Sequence, residues 1–176
     1  MRWNARRPPS ERLTFHGFDA PLEIASAPSP RRYLAQLCDF LGSNRAGEID
    51  GLIGNDARWS DPAAIWDPGR SIGRSADAQR LRVIVDDLLT ELYLQAPQRP
   101  EGWRAAFAQA TSAVALLRYH AEAAAPLPQD ERFARLAAVR DALMAENLLA
   151  IRSAEALRGP TLVSRTTGTC SATRAR

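Results

Sequence analysis

Two polar side chains fall where a helix should carry leucine. Residues 133–151 read FARLAAVRDALMAENLLAI. At 3.6 residues per turn, Phe133, Leu136, Ala137, Leu143, Met144, Leu148 and Ile151 gather on one stripe, and Arg140 and Asn147 lie within it. A guanidinium on an apolar face must meet a carboxylate, a carbonyl or a solvated cleft, because an unpaired buried charge costs several kcal/mol. Such a pair of positions is either part of a buried polar network or the floor of a site. On spacing alone, a structural ion pair with an acid on a neighbouring element is the more economical reading.

The order of residues adds a second consideration. Arg140-Asp141 followed by Met144-Ala145-Glu146-Asn147 resembles the signature helix of the erythromycin esterase-like hydrolases. Near the start, Asn4-Ala5-Arg6-Arg7-Pro8 runs into Phe15-His16-Gly17-Phe18-Asp19, which is similar to that family's helix end, short connection and strand closing in Gly-Phe-Asp. The residue before that glycine is usually aromatic in the family; here it is His16. The resemblance runs to about Val163. It implies a carboxylic ester as small-molecule substrate, a macrolactone in the best-known members, with a histidine activating water and no cofactor or metal. We expect Asp19, Arg140, Asp141, Glu146 and Asn147 to be substrate-binding positions of that family or to support such positions; the stripe suggests that Arg140 orients a carboxylate or stabilises negative charge and that Asn147 holds a hydrogen-bonded neighbour or a water.

The same resemblance marks what is missing. The family carries Glu-x-x-His-Gly before the matched region and His-Asn-x-His after it, and this chain has neither. After Val163 it reads Ser164-Arg165-Thr166-Thr167-Gly168-Thr169-Cys170. Threonine codons begin AC, and one base further upstream each becomes a codon ending in AC, which encodes His, Asn, Asp or Tyr. The shifted frame can therefore encode Phe-Ala-His-Asn-Arg-His-Leu. We expect residues 1–163 to be the central part of the hydrolase domain, and residues 164–176 to be a disordered, frameshifted tail. Because neither His16 nor His120 matches a motif histidine, the catalytic residues stay unassigned and the chain is expected to be a truncated, inactive version.

The remaining elements position that helix. Ser29-Pro30 opens a helix to about Leu41, stopped by Gly42. Residues 45–73 read as short helical turns anchored by Trp59 and Trp66. From Ser75 a helix buries Leu81, Ile84, Val85, Leu88 and Leu92, with Asp86 and Asp87 on a solvated face. Another begins near Glu101 and buries Trp103, Phe107, Ala110, Val114 and Leu117, with His120 near its end. Residues 13–18 read as a buried strand with Asp19 at its carboxyl end, and Thr161-Leu162-Val163 as the start of another. The expected class is α/β, predominantly helical, with helices packed around remnants of a parallel sheet. Lone strands of that kind predict exposed apolar edges.

Composition bounds the function. With 176 residues and 45% hydrophobic content, the chain suffices for one domain with a core. No run has the length of a membrane span and the start lacks an apolar leader, so a cytoplasmic address and no membrane partner are expected. Cys38 and Cys170 suggest neither disulfide nor metal site. All 23 basic residues are arginine, interleaved with 20 acids, and the net charge is only +3. That pattern speaks against a nucleic-acid partner. The competing class is a helical bundle serving as an interaction module, with Arg140 held in a salt bridge.

Overall fold

The computed structural model describes residues 4–8, 11–19, 27–99, 102–156 and 158–163. Five α-helices dominate: α1 (Arg31–Leu41), α2 (Ala46–Ile53), α3 (Ala76–Gln95), α4 (Trp103–Ala123) and α5 (Gln129–Glu155). The chain divides into two units, Asp19–Ala145, and Met1–Phe18 with Glu146–Arg176. The last turns of α5 belong to the second of these.

In the larger unit, α1 packs on α2, α3 and α4, and α3 packs on α2 and α4. The sequence explains the limits of these helices. The Ser29 hydroxyl accepts the Arg31 N–H at 3.1 Å, and Gly42 closes α1 at φ 69°, a left-handed conformation that glycine adopts without a Cβ clash. Ser75 caps α3 by accepting the Ala78 N–H at 3.1 Å. The apolar faces meet in one core that contains Leu34, Leu37, Ile53, Leu81, Ile84, Leu88, Leu92 and Leu117, all essentially without exposed surface. Burying each such side chain contributes about 1.5–3 kcal/mol. Cys38 packs there as a small hydrophobe, and burial pushes its thiol pKa up. A second cluster joins Leu136 and Leu143 of α5 to Ala115, Leu116, Tyr119 and Ala123 of α4.

Residues 54–74 form a strap of 3₁₀ turns, Asp56–Arg58, Pro62–Ile65 and Pro68–Arg70. Each is opened by a side chain that accepts an N–H two residues on: Asn55 from Ala57, Asp61 from Ala63, Asp67 from Gly69. Trp59 anchors the strap in the core, its indole N–H donating to Ile53 O at 3.0 Å. Trp66 was expected to anchor it as well but is 62% exposed, resting edge-on against Phe133. Three groups then meet the carboxyl end of α4. The Ser71 hydroxyl donates to His120 O at 3.1 Å, Arg74 Nε to Ala121 O at 3.0 Å, and Arg82 Nη2 to Leu117 O at 3.1 Å. His120 O also accepts the Ala124 N–H at 3.0 Å, so the Ser71 hydroxyl adds a second bond there, and the two cations favour the negative end of the helix dipole.

In the smaller unit the expected strands are corrected. Among the described residues there is no strand, and residues 12–18 and 159–163 run without regular structure. A strand needs a neighbour to complete its hydrogen-bond ladder, and residues 13–18 have none. Leu13 is instead held by one side chain that imitates a single rung: its N–H donates to Asn4 Oδ1 at 2.9 Å, and Asn4 Nδ2 donates to its carbonyl at 2.7 Å. The fold described is helical, with no remnant of a parallel sheet. Exposed apolar groups do result, with Leu13, Phe15 and Leu162 exposed by 56%, 71% and 95%. Residues 1–3, the tail from 164 and Cys170 lie outside the described residues.

Candidate functional site

Asp19 and Arg140, far apart in sequence, meet in the larger unit. Arg140 Nε donates to Asp19 Oδ1 at 3.2 Å and Nη2 to Oδ2 at 2.7 Å, a two-pronged pair that fixes the carboxylate plane as well as its position. The Arg140 side chain is 31% exposed and that of Asp19 52%. The stripe therefore placed Arg140 correctly toward the protein but overstated its burial. The hydrogen bond to Asp19 raises the guanidinium pKa most, with smaller contributions from Tyr119 and Asp141. Tyr119 is itself buried. Loss of hydration pushes its phenol pKa up, and the positive field of Arg140 opposes that shift.

The other expected positions divide. Asp141 is exposed next to Arg140, and its field is felt there without a direct bond. Asn147, in the smaller unit, is half-buried and donates through Nδ2 to Phe18 O at 3.0 Å, gripping the residue that precedes Asp19 in sequence. Glu146 lies exposed on α5. In the larger unit Arg140 holds the Asp19 carboxylate, and in the smaller unit Asn147 holds the Phe18 carbonyl.

Residues 1–169 match the erythromycin esterase family. The chain belongs to the erythromycin esterase family. No curated protein matches it, and no solved structure does. Membership makes it a hydrolase at the family level and brings that family's association with antibiotic resistance. No helix among the described residues is long and apolar enough to cross a membrane.

Histidines deserve separate placement in an esterase-family chain. His120 is 4% exposed, held by Nε2 at 3.0 Å from Pro28 O and edge-on to Trp59 at 5.0 Å. Burial pushes its pKa down, so it stays a neutral core residue. His16 lies in the smaller unit, with Nε2 3.0 Å from Glu155 Oε1.

Sequence reasoning missed Arg132. It is 2% exposed, donating Nη1 to Leu127 O at 3.2 Å and Nη2 to Ile65 O and Trp66 O at 2.8 and 2.9 Å. The signal was available: Arg132 shares a helix face with Leu136 and Leu143, but the stripe was started one residue later. The pairing of His16 with Glu155, 139 residues apart, left no local signal.

Proposed function

We propose that the chain is a carboxylic ester hydrolase of the macrolactone-opening type that is catalytically silent as it stands. The bidentate pair of Arg140 with Asp19 carries this reading, because it joins the two segments whose order suggested the family. Arg140 sets the direction of the Asp19 carboxylate, whose exposed edge can accept a substrate hydroxyl or hold a water. Asn147 holds the Phe18 carbonyl within the smaller unit. Residues 1–163 form the central part of the hydrolase domain in this reading, and the sequence from Ser164 onward is a shifted frame.

Positioning groups alone give little hydrolysis, since the reaction needs a base in reach of the attacking water. Neither His16 nor His120 stands in a family motif, and His120 is sealed in the core. A macrolide incubated with the chain is therefore expected to stay intact, as read by mass.

A second reading has its own support. The helices α1–α4 share a closed apolar core, and Arg140 sits in a salt bridge, as an interaction module of bundled helices requires. Retention of a bound protein partner by variants that lack the Asp19–Arg140 pair would favour it.

A further inference from the structure

Residues 13–16 of the smaller unit alternate in what they touch. The even side chains meet the end of α5 and the residues after it: the Thr14 hydroxyl accepts a hydrogen bond from Arg158 Nη1, and His16 Nε2 lies 3.0 Å from Glu155 Oε1. The odd side chains are left to solvent, with Leu13 56% and Phe15 71% exposed. A period of two is that of an extended chain, in which the main-chain groups of alternate residues also share an edge. Polar side chains close both ends of the even edge. Arg158 Nη2 donates to Arg12 O at 2.8 Å, and Asn147 Nδ2 to Phe18 O at 3.0 Å. Asn4 holds Leu13 on the other edge. Between the two closed ends, the N–H and C=O groups of Thr14 and His16 have no hydrogen-bond partner among the described residues. A short, open stretch of ladder remains, and open edges pair with other chains.

Apolar surface surrounds it. Residues 11–16 and 158–163 line one open cleft of about 670 Å³, together with Leu148 and Ile151 of α5. In its lining, Leu162 and Val163 are 95% and 53% exposed, beside Leu13 and Phe15. At the areas typical of such side chains, these four expose roughly 500 Å² in each copy, so mutual cover would bury about 1,000 Å² in all, the lower bound of a specific interface.

We propose that this face is covered by a second copy of the chain, with residues 14–16 of the two copies paired antiparallel about a two-fold axis at Phe15. The segment is its own complement in that register. Thr14 of one copy stands opposite His16 of the other, so every free N–H meets a free C=O and none is left over. Phe15 meets Phe15 in the closely spaced position between those bonds, an aromatic pair of the kind that stabilises sheets. Leu13 falls opposite Gly17, which offers room for it. The small area makes the dimer weak and reversible. The contact uses neither Arg140 nor Asp19, so ring-opened macrolide would end the catalytically silent reading and leave this one untouched.

Sedimentation equilibrium of the full chain tests it. From about 1 µM to about 1 mM, the range in which contacts of this size form, the average mass should rise from that of one chain toward that of two. Phe15→Lys should hold it at one chain throughout, because like charges would meet on the axis. In a Cys170→Ser background, Phe15→Cys should give a disulfide-linked dimer on oxidation, since residue 15 faces itself. Leu13→Cys should not, its two copies standing about 13 Å apart along the strands, beyond disulfide reach. A mass of one chain at every concentration overturns the proposal and leaves the cleft to a different protein or to another segment of the same chain. Linking of Leu13→Cys as readily as Phe15→Cys overturns the register and the proposal with it. A mass that climbs past two chains also overturns it, because a two-fold contact closes. If a variant loses its helical signal in circular dichroism, the mass of the unaltered chain decides.

Discussion

Arg140 grips Asp19 with both prongs of its guanidinium, at 3.2 and 2.7 Å, across 121 residues of sequence. Neither partner is deeply buried, with exposures of 31% and 52%, so water screens the attraction. The geometry thus matters more for direction than for stability. In a double-mutant cycle of Asp19→Asn and Arg140→Gln, urea unfolding should give a coupling of about 0.5–1 kcal/mol. Arg140→Lys should lose most of it, because an ammonium cannot span both oxygens.

Arg132 presents the opposite balance. Its guanidinium is buried and three backbone carbonyls depend on it. Arg132→Ala leaves those acceptors without a donor and should cost about 3 kcal/mol in urea unfolding. Hydrogen exchange should quicken first across the Pro62–Ile65 turn, whose end Arg132 holds.

His120 makes the fold acid-sensitive. Burial lowers its folded-state pKa below the ordinary value of 6.5, so the folded protein resists protonation that the unfolded chain accepts. Its contribution is fully present above pH 6.5. It is lost as pH falls from there toward the folded pKa. Thermal unfolding should show a falling Tm over that interval, and His120→Gln should flatten the slope.

Gly73 lies against the carboxyl end of α4. A Cβ there would stand 1.9 Å from His120 O, and backbone cannot yield as a flexible side chain can. Gly73→Ala should therefore cost about 3 kcal/mol, read by urea unfolding, whereas Gly47→Ala, which meets nothing within 4 Å, should not destabilise.

Much of this architecture was legible in the chain because it rests on local rules. Ser29, Gly42 and Ser75 mark helix ends through their own hydrogen bonds or φ angles, and the periodic Leu81, Ile84, Val85, Leu88 and Leu92 all reach the core. The strand expected at 13–18 failed for a non-local reason: aromatic, weakly alternating residues favour a strand only when another strand supplies the ladder. The end of α5 is set by a later residue: it stops at Glu155, where Arg158 folds back to bond its carbonyl at 2.8 Å and its carboxylate at 2.9 Å. At the candidate site, the stripe singled out Arg140 and Asn147, and strand-end reasoning singled out Asp19. Their partners emerged only in three dimensions, since no spacing rule links residues more than a hundred positions apart.

The most direct test follows the intact mass of erythromycin incubated with the purified chain, beside a no-protein control and an Arg140→Ala variant. A chain that keeps its positioning pair but has no motif histidine should give no product heavier by one water in any of the three. Ring-opened macrolide from the unaltered chain, absent in the Arg140→Ala sample, would contradict the silent form and show the Arg140–Asp19 pair at work in catalysis.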